Sequence, residues 1–166
     1  IHLVLATVVA AAFWPVVDAP IILGWLAVVV FGQATRLGAW HRIRHYSGQD
    51  GRRATLLTVT SAIAGLGWGL AGLMLFTDGH QEHQLMMPFL LAGLCAGAVI
   101  SLPGHIPAFY AFFIPTLLPY AGRLLLEPGS IDRVMGLITL LFGLGIGLVG
   151  LQLGRNLRRS AAMGIE

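Results

Sequence analysis

The chain brings few chemically capable side chains together, and the densest group is the stretch DGHQEHQ at 78–84. His80, Glu82 and His83 fall there within four residues. Imidazole nitrogen and carboxylate oxygen are ligands for Zn²⁺ or Cu²⁺, particularly if Asp78 joins them. A histidine pair on an outer loop would also respond to acid, because imidazole titrates near about 6.5. The competing account is a solvated turn between two helices, since the spacing is not a recognised metal motif. No cofactor is expected beyond a candidate metal at His80 and His83.

The second candidate lies between 106 and 126. Phe109, Tyr110, Phe112 and Phe113 precede Pro115, Pro119 and Tyr120. Each proline removes a backbone donor and crowds the turn before it. Inside a membrane the freed carbonyls need other partners, which implies a bend, a neighbouring helix or a cavity. The aromatic rings then either wall a pocket for a flat or acyl ligand or pack around a kinked helix.

Arg36 and Arg123 are the charged residues nearest the hydrocarbon, where charge is costly. Gln33 and Arg36, three residues apart, share a helical face. Both arginines lie close enough to a helix end to snorkel to the interface as anchors. Arg123 is also one turn from Glu127, an ion-pairing distance on a helix. No Asp or Glu falls inside any apolar run, which argues against an ion-coupled transporter. No nucleophile–base pair, HExxH, two-carboxylate site or phosphate loop is present. Ser101, His105 and Asp50 are too scattered for a triad. No catalytic site is expected in this chain.

The elements that hold these residues are apolar runs. Of the 166 residues, 57% are hydrophobic and 10% charged, against about a quarter charged in soluble domains. The pattern predicts an all-α, polytopic transmembrane helical bundle of about six spans with short loops. The spans fall at 1–17, 20–40, 54–77, 85–102, 106–126 and 134–153. The last is uncharged and close to the roughly 20 residues that cross a bilayer core. The single cysteine, Cys95, excludes an intrachain disulfide.

The net charge of +3 comes with ten basic residues, all arginine. They gather at the ends of apolar runs, so they point to orientation in a membrane and not to nucleic acid. Arg42, Arg44, Arg52 and Arg53 lie in one loop; Arg155, Arg158 and Arg159 follow the last span. The opposite loops hold only Arg133, with Arg123 at their edge. The positive-inside bias then places both chain ends in the cytoplasm. Glycines four residues apart recur as Gly65 and Gly69, Gly93 and Gly97, and Gly143 and Gly147. Such pairs let membrane helices approach closely.

The runs at 54–76 and 83–127 resemble the membrane-embedded sensory region at the N-terminus of bacterial multidomain signalling proteins. Trp68-Gly69, Ala92-Gly93, Ala96-Gly97-Ala98 and Ser101 carry the likeness, with Pro107-Ala108-Phe109, Pro115 and Pro119. The tail LGRNLRRS at 153–160 is similar too, and the resemblance spans roughly 40–160. It implies a bacterial inner-membrane protein, a homodimer formed through the parent protein, and a cytoplasmic output domain beyond Glu166. Residues 161–166 would begin the linker helix to that domain. In such proteins the output is a histidine kinase core, often hybrid, or a GGDEF/EAL cyclic-di-GMP enzyme.

The leading expectation is therefore a signal-input module of a two-component histidine kinase. It would detect a small apolar or amphipathic molecule and relay it through the last helix. The same module on a diguanylate cyclase or phosphodiesterase is the near alternative. A small transporter and a membrane assembly subunit are the more distant ones.

Overall fold

A computed structural model describes residues 2–45, 50–77, 81–102, 105–162 and 164. Among them the secondary structure is entirely helical. The elements are α1 (His2–Phe13), α2 (Ala19–His45), α3 (Asp50–Met74), α4 (Gln81–Ser101), α5 (Ile106–Leu126) and α6 (Ser130–Ala162). Five of the helices, α2 to α6, are long and apolar enough to cross a membrane. With α1 they make the all-α bundle of about six spans that the apolar runs predict.

Helix α5 is the axis of the bundle. It packs most heavily on α3 and α6 and also meets α4. Its buried side chains include Phe109, Phe112, Phe113, Leu117, Tyr120 and Leu124. Its limits match the predicted 106–126 because both ends carry breakers. Pro107 sits in the first turn, where a missing N–H costs nothing. At the other end Glu127 turns extended and its N–H returns to the Leu124 carbonyl, just before Pro128-Gly129.

The α3–α5 crossing is set by glycine. A Cβ on Gly69 would overlap the Pro115 carbonyl oxygen, and one on Gly65 would overlap that of Phe112. The Pro115 carbonyl is the one that residue 119 would bond in an unbroken helix. Pro119 has no N–H to offer. Its freed oxygen lies against the bare Cα of Gly69, a setting for a weak Cα–H···O contact. The prolines and the glycines are thus one device: α5 exposes a carbonyl and α3 has no side chain in its way.

Several predicted limits shift. Helix α1 stops at Phe13 instead of running to 17, because Pro15 cannot continue it. The amides of Val16 and Val17 turn back to the Phe13 carbonyl at 3.1 and 3.0 Å. Helix α3 begins four residues early, at Asp50, and ends at Met74. Helices α2 and α6 outrun their apolar cores, ending at His45 and Ala162. Charge ends the hydrocarbon-compatible stretch without ending the backbone hydrogen bonding, so hydropathy marks the membrane part of a helix and not its length.

The surface carries many large apolar side chains. Phe89 and Ile100 are each 78% exposed and Leu126 is 85% exposed. Exposed apolar side chains continue along α2 and α6, far beyond the patches that soluble monomers tolerate. Lipid is the solvent that matches such a surface, and the chain is a multi-pass membrane protein.

Candidate functional site

Five helices enclose a cavity of about 580 Å³, within the roughly 300–1,000 Å³ typical of small-molecule sites. Its polar lining is His2 from α1, Gln33 and Arg36 from α2, Ser61 from α3 and Ser101 from α4. Its apolar walls are Leu5, Phe89, Leu90, Leu94, Leu102 and Phe112. No carboxylate lines it among the described residues. Phe89 belongs both to this wall and to the exposed surface, so the cavity opens through the α4 side of the bundle.

The floor is held by a chain of rings. Trp25 donates its indole N–H to the Gly67 carbonyl at 2.9 Å. Its ring meets Trp68 edge-on, with centroids 5.6 Å apart. Trp68 donates in turn to His2 Nδ1 at 3.0 Å. That bond makes Nδ1 an acceptor, so neutral His2 carries its proton on Nε2. The His2 ring then stands edge-on to Phe112, 6.0 Å away. Trp25 and Trp68 are both fully buried, and each satisfies the one polar atom that burial would penalise.

The predicted aromatic group is divided by the fold. Phe112 lines this cavity. Tyr110 and Phe113 line a separate groove of about 300 Å³ between α5 and α6, with Gly143 and Gly147. Tyr110 donates its hydroxyl to the Gly147 carbonyl there, at 2.9 Å. Phe109 packs against Gly150, and Pro115 and Pro119 press their rings toward Gly65 and Gly69. Tyr120 is buried and donates to the Gln84 carbonyl at 2.5 Å. These seven residues surround one helix and do not share one pocket.

The glycine pairs divide as well. Gly65 and Gly69 are jammed against α5, and Gly143 meets the Leu117 side chain. Gly147 has ordinary contacts with Tyr110 and Phe113 at 3.8 Å. Gly93 and Gly97, expected to pack helices, instead line the cavity, and no described atom lies within 4 Å of a Cβ built on either. Within the chain the missing side chains there make room and not a helix contact.

Of the histidine loop, His80 lies outside the described residues. His83 turns inward, 17% exposed, while Glu82 is 77% exposed. The His83 Nε2 lies 3.2 Å from the Ala12 carbonyl, and its ring is edge-on to Phe13 at 5.2 Å. Among the described residues no three His, Cys, Asp or Glu side chains converge on a metal position. His83 works here as a link between α1 and α4.

Arg123 pairs with Glu127 at 2.8 Å, as the one-turn spacing predicts, and lies over the Phe76 ring at 4.7 Å. Arg155, Arg158 and Arg159 are exposed on the last turns of α6. Arg36 is half-buried at the cavity wall, a place that anchoring alone does not describe. The cavity itself was not expected. The available signal was Gln33 with Arg36, two polar side chains on one face of an otherwise apolar helix. Comparison with protein families, curated proteins and solved structures found no match to this chain.

Proposed function

We propose that the chain is the transmembrane signal-input module of a bacterial two-component histidine kinase, seated in the inner membrane with both ends cytoplasmic. A small amphipathic molecule enters from the bilayer, and the response leaves through α6. The observation that carries this reading is the polar-floored cavity inside an apolar bundle, open at a lipid-facing wall. A ligand that fits it better in one helix arrangement than in another shifts the balance between them.

The path to α6 runs through α5. Phe112 lines the cavity on one side of α5. Within one turn of it, Phe109 presses on Gly150, and Tyr110 bonds the Gly147 carbonyl. A displaced Phe112 therefore moves a helix already locked to α6. Helix α6 has 33 residues, about 50 Å at 1.5 Å per residue, against a hydrocarbon core of about 30 Å. Its arginine-bearing end projects beyond the bilayer, where a shift or rotation is available to a soluble domain. The arginines at that end, with Arg52 and Arg53, favour the cytoplasm under the positive-inside bias.

The test is the parent gene beyond the codon for Glu166. A dimerisation helix with a phosphoacceptor histidine and an ATP-binding core is the expected result. A GGDEF-type domain keeps the input module and replaces the kinase reaction. A stop codon near that position overturns both and favours a transporter or an assembly subunit.

A further inference from the structure

We propose that the cavity binds a single-chain amphipathic anion, an acyl carboxylate, with Arg36 as its counter-ion. The proposal deepens the sensor reading by naming its ligand class, but a binding measurement tests it whatever domain follows Glu166.

Three observations converge on this chemistry. Arg36 lines the cavity and no carboxylate does, among the described residues. A guanidinium is always charged and matches a carboxylate with two parallel donors. At membrane depth such a charge is costly unless paired. Gln33, one turn away on the same face of α2, adds an amide donor beside it. His2 adds a third, because Trp68 occupies its Nδ1 and leaves Nε2–H as the donor nitrogen. A cationic ligand would meet Arg36 with like charge, and a neutral one would leave it unpaired.

The remaining lining suits one acyl chain. Leu90, Leu94 and Phe112 are apolar walls, and Gly93 and Gly97 keep the α4 side clear. The opening past Phe89 lets a molecule dissolved in the bilayer slide in sideways. At about 580 Å³ the space is that of a small-molecule site.

The experiment uses this chain in nanodiscs of phosphatidylcholine and measures equilibrium binding of radiolabelled dodecanoate. Saturable binding is expected, displaced by unlabelled dodecanoate and not by dodecanol or dodecyltrimethylammonium. Arg36→Gln should weaken it by about tenfold or more, the loss of a charge-assisted bond, and Arg36→Lys, which keeps the charge and loses the two-donor fork, should fall between the two. Gly93→Leu, which adds a side chain to the cavity from α4 and leaves the Arg36 charge in place, should abolish it. If Arg36→Gln does not fold, judged by size exclusion, the Gly93→Leu result and the competition series decide. Equal displacement by dodecanol, unchanged binding in Gly93→Leu, or non-saturable uptake overturns the proposal. Loss of dodecanoate binding in phosphatidylglycerol nanodiscs overturns it too, because the occupant is then a two-chain bilayer lipid. A stop codon near that of Glu166, with no output domain following, and intact dodecanoate binding would sink the sensor reading alone.

Discussion

Gly65 with Gly69 and Gly93 with Gly97 are the same residues at the same spacing, yet they sit in opposite environments. The first pair lies where two backbones touch. The second lies where nothing touches. A small residue in a membrane helix removes a side chain, and what fills the gap is decided by the facing element. Opposite α3 stands α5, whose prolines present a bare carbonyl and two flat rings to fill the gap. The Gly93 and Gly97 face of α4 instead looks into open space lined by polar groups from α1 and α2. The closed pair makes a rigid joint, and the open pair makes a vacancy next to it.

The sharpest way to break this comparison is to put the same side chain at both places. In Gly69→Leu the new Cβ collides with the Pro115 carbonyl oxygen and meets the Pro119 ring at 3.2 Å. Overpacking backbone against backbone should cost about 3 kcal/mol or more. The expected readout is loss of the monodisperse size-exclusion peak, or a large fall in Tm. In Gly93→Leu the new Cβ meets no described atom within 4 Å, and stability should change by only about 0.5 kcal/mol. Equal falls in Tm for the two variants would end the distinction.

A second test asks what the prolines contribute to the closed joint. Replacing Pro115 and Pro119 together with alanine removes both rings from Gly65 and Gly69. It also gives residue 119 an N–H for the carbonyl that Gly69 now faces. Insertion should be intact, with stability lowered by roughly 1 kcal/mol. In the parent protein the response to ligand should change, because α5 links the cavity to α6. A normal response in the double variant would remove the α3–α5 joint from the relay.

How much of this was legible in the sequence follows the same division. Helix α5 was legible to the residue because Pro107 and Pro128-Gly129 punctuate it, and local chemistry is written locally. The ends of α2 and α6 were not, because arginine ends an apolar run without ending a helix. Gly65 and Gly69 were readable as packing residues since their partner, a proline-bearing helix, left its own mark. Gly93 and Gly97 make no helix contact within the chain, and an identical spacing says nothing about the facing surface. The cavity draws His2, Arg36, Ser61, Ser101 and Phe112 from five separate helices. No periodicity along one of them contains that convergence. Arg36 was visible as a costly charge, but its neighbours across the bundle were not.

Trp68 sharpens the comparison from the cavity side, since it precedes Gly69 on α3 and bonds His2, which lines the cavity. Trp68→Phe keeps a ring in the core and deletes the bond to His2 Nδ1. A neutral hydrogen bond is worth about 1 kcal/mol, so a fall in stability of that order is expected. The more telling readout is the His2 ring by nitrogen NMR. Without the indole donor its tautomer is no longer fixed, and a shift at Nδ1 should appear. An unchanged Nδ1 signal would mean that the ring chain does not orient the cavity floor.

The smallest effect belongs to the far end of the bundle. There Arg123 and Glu127 form an i, i+4 pair whose side chains are 42% and 20% exposed. Solvent screening reduces such a pair to about 0.3–0.5 kcal/mol, and the Phe76 ring beneath Arg123 keeps the cation attracted even without its partner. Glu127→Gln should therefore move Tm only slightly, and less at high salt. It should leave dodecanoate binding untouched, because neither residue lines the cavity. A loss of binding in Glu127→Gln would mean that the two ends of α5 are energetically joined. The rigid joint at Gly69 would then transmit changes from the far end of the bundle as well as from the cavity.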